Sequence, residues 1–161
     1  MRKFEIISEE QWAKDISILD SPKCAIIDHL KPHRSTKHSA GYDFISPIEI
    51  IIPAHGMAKI PTGIKAQMNE DEILSIYPRS SIGFKTGIRL SNTVGIIDSD
   101  FYNNLDNEGH IFIKFFNPTD KDYQIHIGDK IAQGIFTKYL IVDDEEEIET
   151  ERSGGLGSTG K

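Results

Sequence analysis

Three stretches of the chain combine residue types that could work on phosphate groups. The first is Arg152-Ser153-Gly154-Gly155-Leu156-Gly157-Ser158-Thr159-Gly160, close to the C-terminus. A segment so rich in glycine cannot bury enough apolar surface to fold alone. It offers a guanidinium, hydroxyls and a run of backbone N–H groups, which is the composition of a lid closing over phosphates with Arg152 as its fixed charge. A solubilising terminus has the same composition. The second stretch is Pro78-Arg79-Ser80-Ser81-Ile82-Gly83, where a proline ends an apolar run and an arginine, two hydroxyls and a glycine follow at a turn. These groups suit the oxygens of a di- or triphosphate, and they equally suit a plain structural turn. The third is Asn92-Thr93-Val94-Gly95-Ile96-Ile97-Asp98-Ser99-Asp100-Phe101. Gly95 interrupts an apolar strand, which marks close approach of a ligand or another backbone. Asp98 follows two isoleucines, where a charge is costly without a partner or a task. A carboxylate there could orient and deprotonate a water; a turn-initiating aspartate is the alternative. Ala40–Phe44, with Asp43 between two aromatics, and Gly128–Gln133, a polar turn before a strand, are weaker signals of the same kind.

The elements that must position these residues read as mostly β. Residues 2–7 form a short expected strand, Ser8-Glu9-Glu10-Gln11 fits a capping box, and Trp12, Ile16 and Leu19 follow at helical spacing, so a helix near 9–18 is expected. Short β-branched runs then recur at 25–27, 48–52, 59–60, 64–66, 73–77 and 94–97, separated by Pro, Gly, Asn and Asp turns. Ile111, Ile113 and Phe115 alternate with polar neighbours, as do Tyr123, Ile125 and Ile127. This spacing predicts an all-β sandwich or barrel over residues 1–142. Residues 143–151 hold seven carboxylates, an extended acidic linker expected to keep the tail, within 143–161, away from its own body.

Composition excludes several function classes. A net charge of −7 argues against a nucleic-acid backbone binder. One cysteine, Cys24, allows no internal disulfide and fits a reducing compartment. No apolar run is long enough to span a bilayer and no signal-type segment follows Met1, so a cytoplasmic protein with no membrane partner is expected. Residues 155–160 formally match G-x-G-x-x-G, but no helix can follow, and the dinucleotide reading fails. The six histidines are scattered, and His33 and His38 read as surface residues rather than metal ligands.

Taken in order, the stretches at 40–44, 78–83, 95–101, 128–133 and 152–160 resemble the five motifs of the homotrimeric dUTPases. The resemblance spans about residues 40–160 and implies a jelly-roll-like β fold with a short N-terminal helix and a flexible C-terminal tail. It implies splitting of dUTP into dUMP and pyrophosphate with Mg²⁺. Asp98 would be the general base, and Asp43 would hold waters of the Mg²⁺ shell. Arg79, Ser80, Ser81, Gln133 and the tail residues Arg152, Gly157, Ser158 and Thr159 would contact phosphates. Asn92, Gly95, Ile97, Phe101 and Leu156 would meet uracil and deoxyribose. The resemblance also implies a homotrimer with sites shared between subunits, Asp98 of one working with Arg152 of another.

Three positions depart from the family pattern. Phe101 stands in place of the usual tyrosine, Leu156 in place of the tail phenylalanine, and Asn103 in place of a glycine, opening an apparent insertion at 103–109. A longer hairpin loop is expected there, with a partner-binding loop or an extra metal site as the alternative. Two competing functions remain open: a dCTP deaminase-like relative, and a nucleotide-sensing interaction module whose hydrolase activity is secondary or lost.

Overall fold

A computed structural model describes residues 1–19, 31–148, 150, 152, 154 and 155. Eleven strands, all paired antiparallel, dominate these residues. The largest sheet contains β2 (Tyr42–Ile45), β11 (Lys130–Lys138), β6 (Glu72–Pro78) and β8 (Gly95–Asp98), in that order, so β8 is an edge strand. A second sheet holds β4 (Met57–Pro61), β9 (Phe112–Phe116) and β7 (Arg89–Leu90), and two ribbons pair β1 (Lys3–Ile6) with β5 (Ile64–Gln67) and β3 (Ile50–Ile52) with β10 (Tyr123–Ile125). The strands fall into these four sheets and ribbons rather than one closed barrel.

Alternation explains the core. Ile111, Ile113 and Phe115 are all essentially buried, and they pack with Phe44, Ile60, Ile64, Leu74 and Ile131. Each such side chain contributes roughly 1.5–3 kcal/mol on leaving water. Gly134 sits at the centre of β11 because a Cβ there would lie 2.9 Å from both Leu74 and Phe44. The expected inward face at Tyr123, Ile125 and Ile127 holds only to Ile125. The strand ends there, a turn closed by the His126 N–H donating to Asp129 Oδ2 (2.8 Å) follows, and Ile127 is turned outward.

The N-terminal helix α1 (Glu9–Ile16) begins as the capping box requires, Ser8 Oγ accepting the Gln11 N–H at 3.0 Å. Gln11 does not reach back to Ser8; its amide donates to Asp15 Oδ2 instead (2.8 Å). Asp15 also accepts from His110 Nδ1 (2.6 Å), while His110 Nε2 accepts the Gly63 N–H (2.8 Å). That pair of bonds fixes the neutral imidazole with its proton on Nδ1. Burial pushes the His110 pKa below the usual imidazole value, by more than Asp15 raises it. The expected strand at 25–27 lies outside the described residues.

Candidate active site

Of the residues expected to contact phosphates, Arg79, Ser80, Ser81 and Gln133 gather at one end of the large sheet. Cross-strand register places Asp43 opposite Gln133 and Gln133 opposite Tyr77, one residue before Pro78. The expected turn at 78–83 is a helix, α2 (Ser80–Thr86), with Arg79 as its N-cap. Ile82 is buried against the core, which winds the segment into a helix, and Gly87 in the left-handed region ends it. The hydroxyl-bearing residues Ser80 and Ser81 remain exposed on its first turn.

Asp43 is the buried hub of this end. It pairs with Arg79, accepts from Ser35 Oγ at 2.5 Å, and lies 3.0 Å from Lys130 Nζ. Burial drives this carboxyl upward, but hydrogen bonds from Ser35, Lys130 and Arg79 outweigh it and hold the pKa below the ordinary carboxylate range. Asp43 therefore stays ionised and fixes two cations beside a cleft of about 490 Å³ lined by Arg79, Ser81, Asp129 and Lys130. Gly41 lies against Gln133: a Cβ there would come within 2.6 Å of the Gln133 side-chain oxygen and displace it.

Asp98 stands at the other end. It faces Ile73 across the sheet, four residues along β6 from Tyr77, or about 13 Å. Within one chain the carboxylate and the Arg79 cluster do not converge. The Asp98 side chain is 50% exposed, so its ionised form carries little of the desolvation cost expected after two isoleucines. Between the two ends, the Asn92–Gly95 turn and Ile97 line a tight pocket of about 70 Å³. Gly95 keeps it open: a Cβ there would lie 3.1 Å from Ile76 Cβ.

The described part of the tail lies on its own chain, not held away by the acidic linker. Arg152 Nη2 donates to Asp98 Oδ2 and Nε to Asp100 Oδ1, each at 2.7 Å, and the guanidinium sits 5.8 Å from the Phe101 ring centroid. Three carboxylates explain this. Besides Asp98 and Asp100, Asp106 Oδ2 accepts the Gly155 N–H (2.8 Å). Phe101, expected to pack on deoxyribose, belongs to a single 3-10 turn (Ser99–Phe101) and is buried, with Arg152 over it. Leu156, Gly157, Ser158 and Thr159 lie outside the described residues.

The 103–109 segment is a tightly specified loop rather than a lengthened hairpin. Asn104 Oδ1 accepts the N–H groups of Asp106 and Asn107, and Asn107 Oδ1 accepts from Asn104 Nδ2 and the Gly109 N–H. Gly109 has φ 82°, and a Cβ there would approach the Phe101 carbonyl oxygen to 2.6 Å. Helix α1 braces the loop from outside, through Lys14 Nζ on the Asp106 carbonyl (3.0 Å) and Ser8 on Glu108. Ser35, Lys130, Asp100 and Asp106 are not among the expected site residues: Asp100 and Lys130 lie within the 95–101 and 128–133 stretches and Asp106 within the 103–109 insertion, and only Ser35 falls outside every stretch singled out.

Comparison with known proteins identifies the family. The dUTPase family model matches residues 29–160. The deoxyuridine 5'-triphosphate nucleotidohydrolase of Lactococcus lactis is 50% identical over 131 residues, covering 80% of this chain and 87% of that one. The enzyme of the same name from Glaesserella parasuis is 35% identical over 156 residues, covering 91% and 97%. A crystal structure of the Streptococcus mutans dUTPase superimposes with a TM-score of 0.70 at 37% identity, covering 88% of this chain and 98% of that one. The chain belongs to the dUTPase family.

Proposed function

We infer that this protein hydrolyses dUTP to dUMP and pyrophosphate. Beside its family membership, the observation that carries this reading is the placement of Gly95 and Asp98 on β8. Gly95 opens the tight pocket, and the half-exposed carboxylate stands three residues along the same strand, about 10 Å away. A pyrimidine seated at Gly95 lays its sugar and first phosphate along β8 toward Asp98. Because β8 pairs only with β6 among the described residues, one row of its main-chain groups faces outward and can read the base edge. A backbone donor aimed at a uracil carbonyl would oppose the amino group of cytosine, and mismatched polar groups discriminate far better than a missing apolar contact. The tightness of the pocket excludes a thymine methyl.

Asp98 takes the proton of a water as that water attacks the α-phosphorus, and pyrophosphate leaves. Arg79, Ser80, Ser81 and Gln133 align and neutralise the phosphates, which is most of what phosphoryl transfer requires. Mg²⁺ fits this chain as an outer-sphere partner. Among the described residues no three carboxylate, imidazole or thiol groups form a cage. Asp43 already receives Arg79, Ser35 and Lys130, leaving one acceptor position able to take a metal-bound water. Such an ion, bound with the phosphates, would neutralise their charge and polarise the reacting phosphorus.

The separation of about 13 Å between Asp98 and the Arg79 end supports sites completed between subunits of a closed homotrimer, Asp98 from one and Arg79 with Gln133 from the next. Outward-facing Ile96 on the edge strand and the exposed Tyr139–Val142 run supply apolar surface for such contacts. No helix among the described residues is long and apolar enough to cross a membrane, and a cytoplasmic setting agrees with the reaction. A pyrophosphate-release assay across dUTP, dTTP, dCTP and UTP tests the reading. Release from dUTP alone is expected. Conversion of dCTP to a uracil nucleotide would place the protein with the deaminases, and no release from any of the four would overturn hydrolysis.

A further inference from the structure

The contacts of Arg152 coincide with contacts that substrate needs. Its guanidinium occupies Asp98, the base, and lies over Phe101, the ring expected to face deoxyribose. Resting on the reading of the site given above, we propose that Asp98, Asp100, Phe101 and Asp106 form a resting seat for the chain's own Arg152 and Gly155, from which the nucleotide displaces them.

The seat is built rather than incidental. Arg152 is only 11% exposed, and it gives two charge-assisted hydrogen bonds of 2.7 Å to two different carboxylates. Three residues on, the buried Gly155 gives its N–H to a third carboxylate, Asp106. The loop carrying Asp106 is held by the Asn104 and Asn107 side chains, by left-handed Asn103, Glu108 and Gly109, and by Lys14 of helix α1. Asp100 and Asp106 thus have a use that catalysis does not demand. They hold the tail where it excludes sugar from Phe101 and engages the base.

The consequence is self-competition. A nucleotide entering the site must displace Arg152 from the carboxylates, so its apparent affinity is lowered by the fraction of chains with the tail seated. Weakening the seat without touching substrate contacts therefore tightens apparent binding.

Asp106→Ala tests this, because Asp106 is exposed and lies outside the binding and catalytic groups. The first readout is trypsin cleavage after Arg152 in nucleotide-free full-length protein, followed by mass. We expect cleavage about tenfold faster than wild type, the effect of losing one hydrogen bond to a charged group. The second is steady-state kinetics with dUTP, where KM should fall about threefold at unchanged kcat. Asp106→Asn, which keeps an acceptor oxygen, should restore slow cleavage, and Asp100→Ala should repeat the effect of Asp106→Ala. Unchanged cleavage in Asp106→Ala overturns the seat. A raised KM overturns the resting role and makes Asp106 a positioning residue for the closed tail. The proteolysis readout needs no turnover, so it judges the seat even if dUTP hydrolysis fails.

Discussion

The two ends of the large sheet are built on opposite plans. At the Asp43 end the carboxylate is buried and held by Arg79, Ser35 and Lys130, and glycine at 41 leaves room for the Gln133 side chain. At the Asp98 end the carboxylate is half exposed, its strand is an edge, and its strongest partner is an arginine from the tail. The lesson is a division of labour. On the proposed reading, the groups that would align a polyphosphate are fixed before it arrives, which would remove reorganisation from the reaction. The group that would meet water and sugar is held by contacts that can be exchanged.

The largest test of this contrast is Asp98→Asn. The change is isosteric, so binding of a non-hydrolysable dUTP analogue should persist by calorimetry while kcat falls by on the order of 10³-fold or more. A variant within tenfold of wild type would remove Asp98 as the base. Next comes complementation between the ends. Asp98→Asn and Arg79→Ala should each be nearly inactive, yet co-refolded mixed trimers should recover roughly a quarter of wild-type activity. Random mixing makes about three quarters of trimers mixed, and one site in three of those keeps both groups. Absence of recovery in verified mixed trimers would mean that a single chain supplies both.

Gly41→Ala probes how much the fixed end depends on exact placement. The added methyl displaces Gln133, and kcat/KM should drop by about 10- to 100-fold, while the melting temperature moves little. A drop in stability with unchanged kinetics would show Gln133 to be structural. The smallest effect concerns His110, which lies at neither end. Its folded pKa is below the usual value of 6.5, so the unfolded chain binds the proton first as pH falls. Its contribution is therefore complete above pH 6.5 and lost progressively below it. Wild type should melt lower at pH 5.5 than at pH 7.5 relative to His110→Asn, which cannot titrate. Parallel pH profiles for the two proteins would count against the neutral His110–Gly63 bond.

Much of the fold was legible because periodicity survives in the core strands: Ile111, Ile113 and Phe115 alternate and are buried as their spacing requires. The helical turn after Arg79 was not, because what winds it is the burial of Ile82, a tertiary event that seven residues rich in Ser and Gly do not advertise. In the candidate site, Asp43, Arg79, Asp98 and Arg152 stood out by charge in unusual company. Ser35 and Asp106 did not, since their roles come from residues 8 and 49 positions away, Asp43 and Gly155. Local sequence announces groups with a cost to justify, and it is silent about ordinary polar residues that the fold brings alongside them.

The bonds that secure helix α1 also set a timetable. Ser8, Lys14 and Asp15 are tied to Glu108, Asp106 and His110, over separations of 100, 92 and 95 residues. On a ribosome adding about 5–20 residues per second, the helix must wait roughly 5–20 s before these partners have been made. Closing such long loops is slow for a free chain as well. Until then the helix has only its cap and eight residues to hold it together, which is too little for lasting helicity in water. The first helix to be synthesised is therefore among the last parts of the molecule to become permanent.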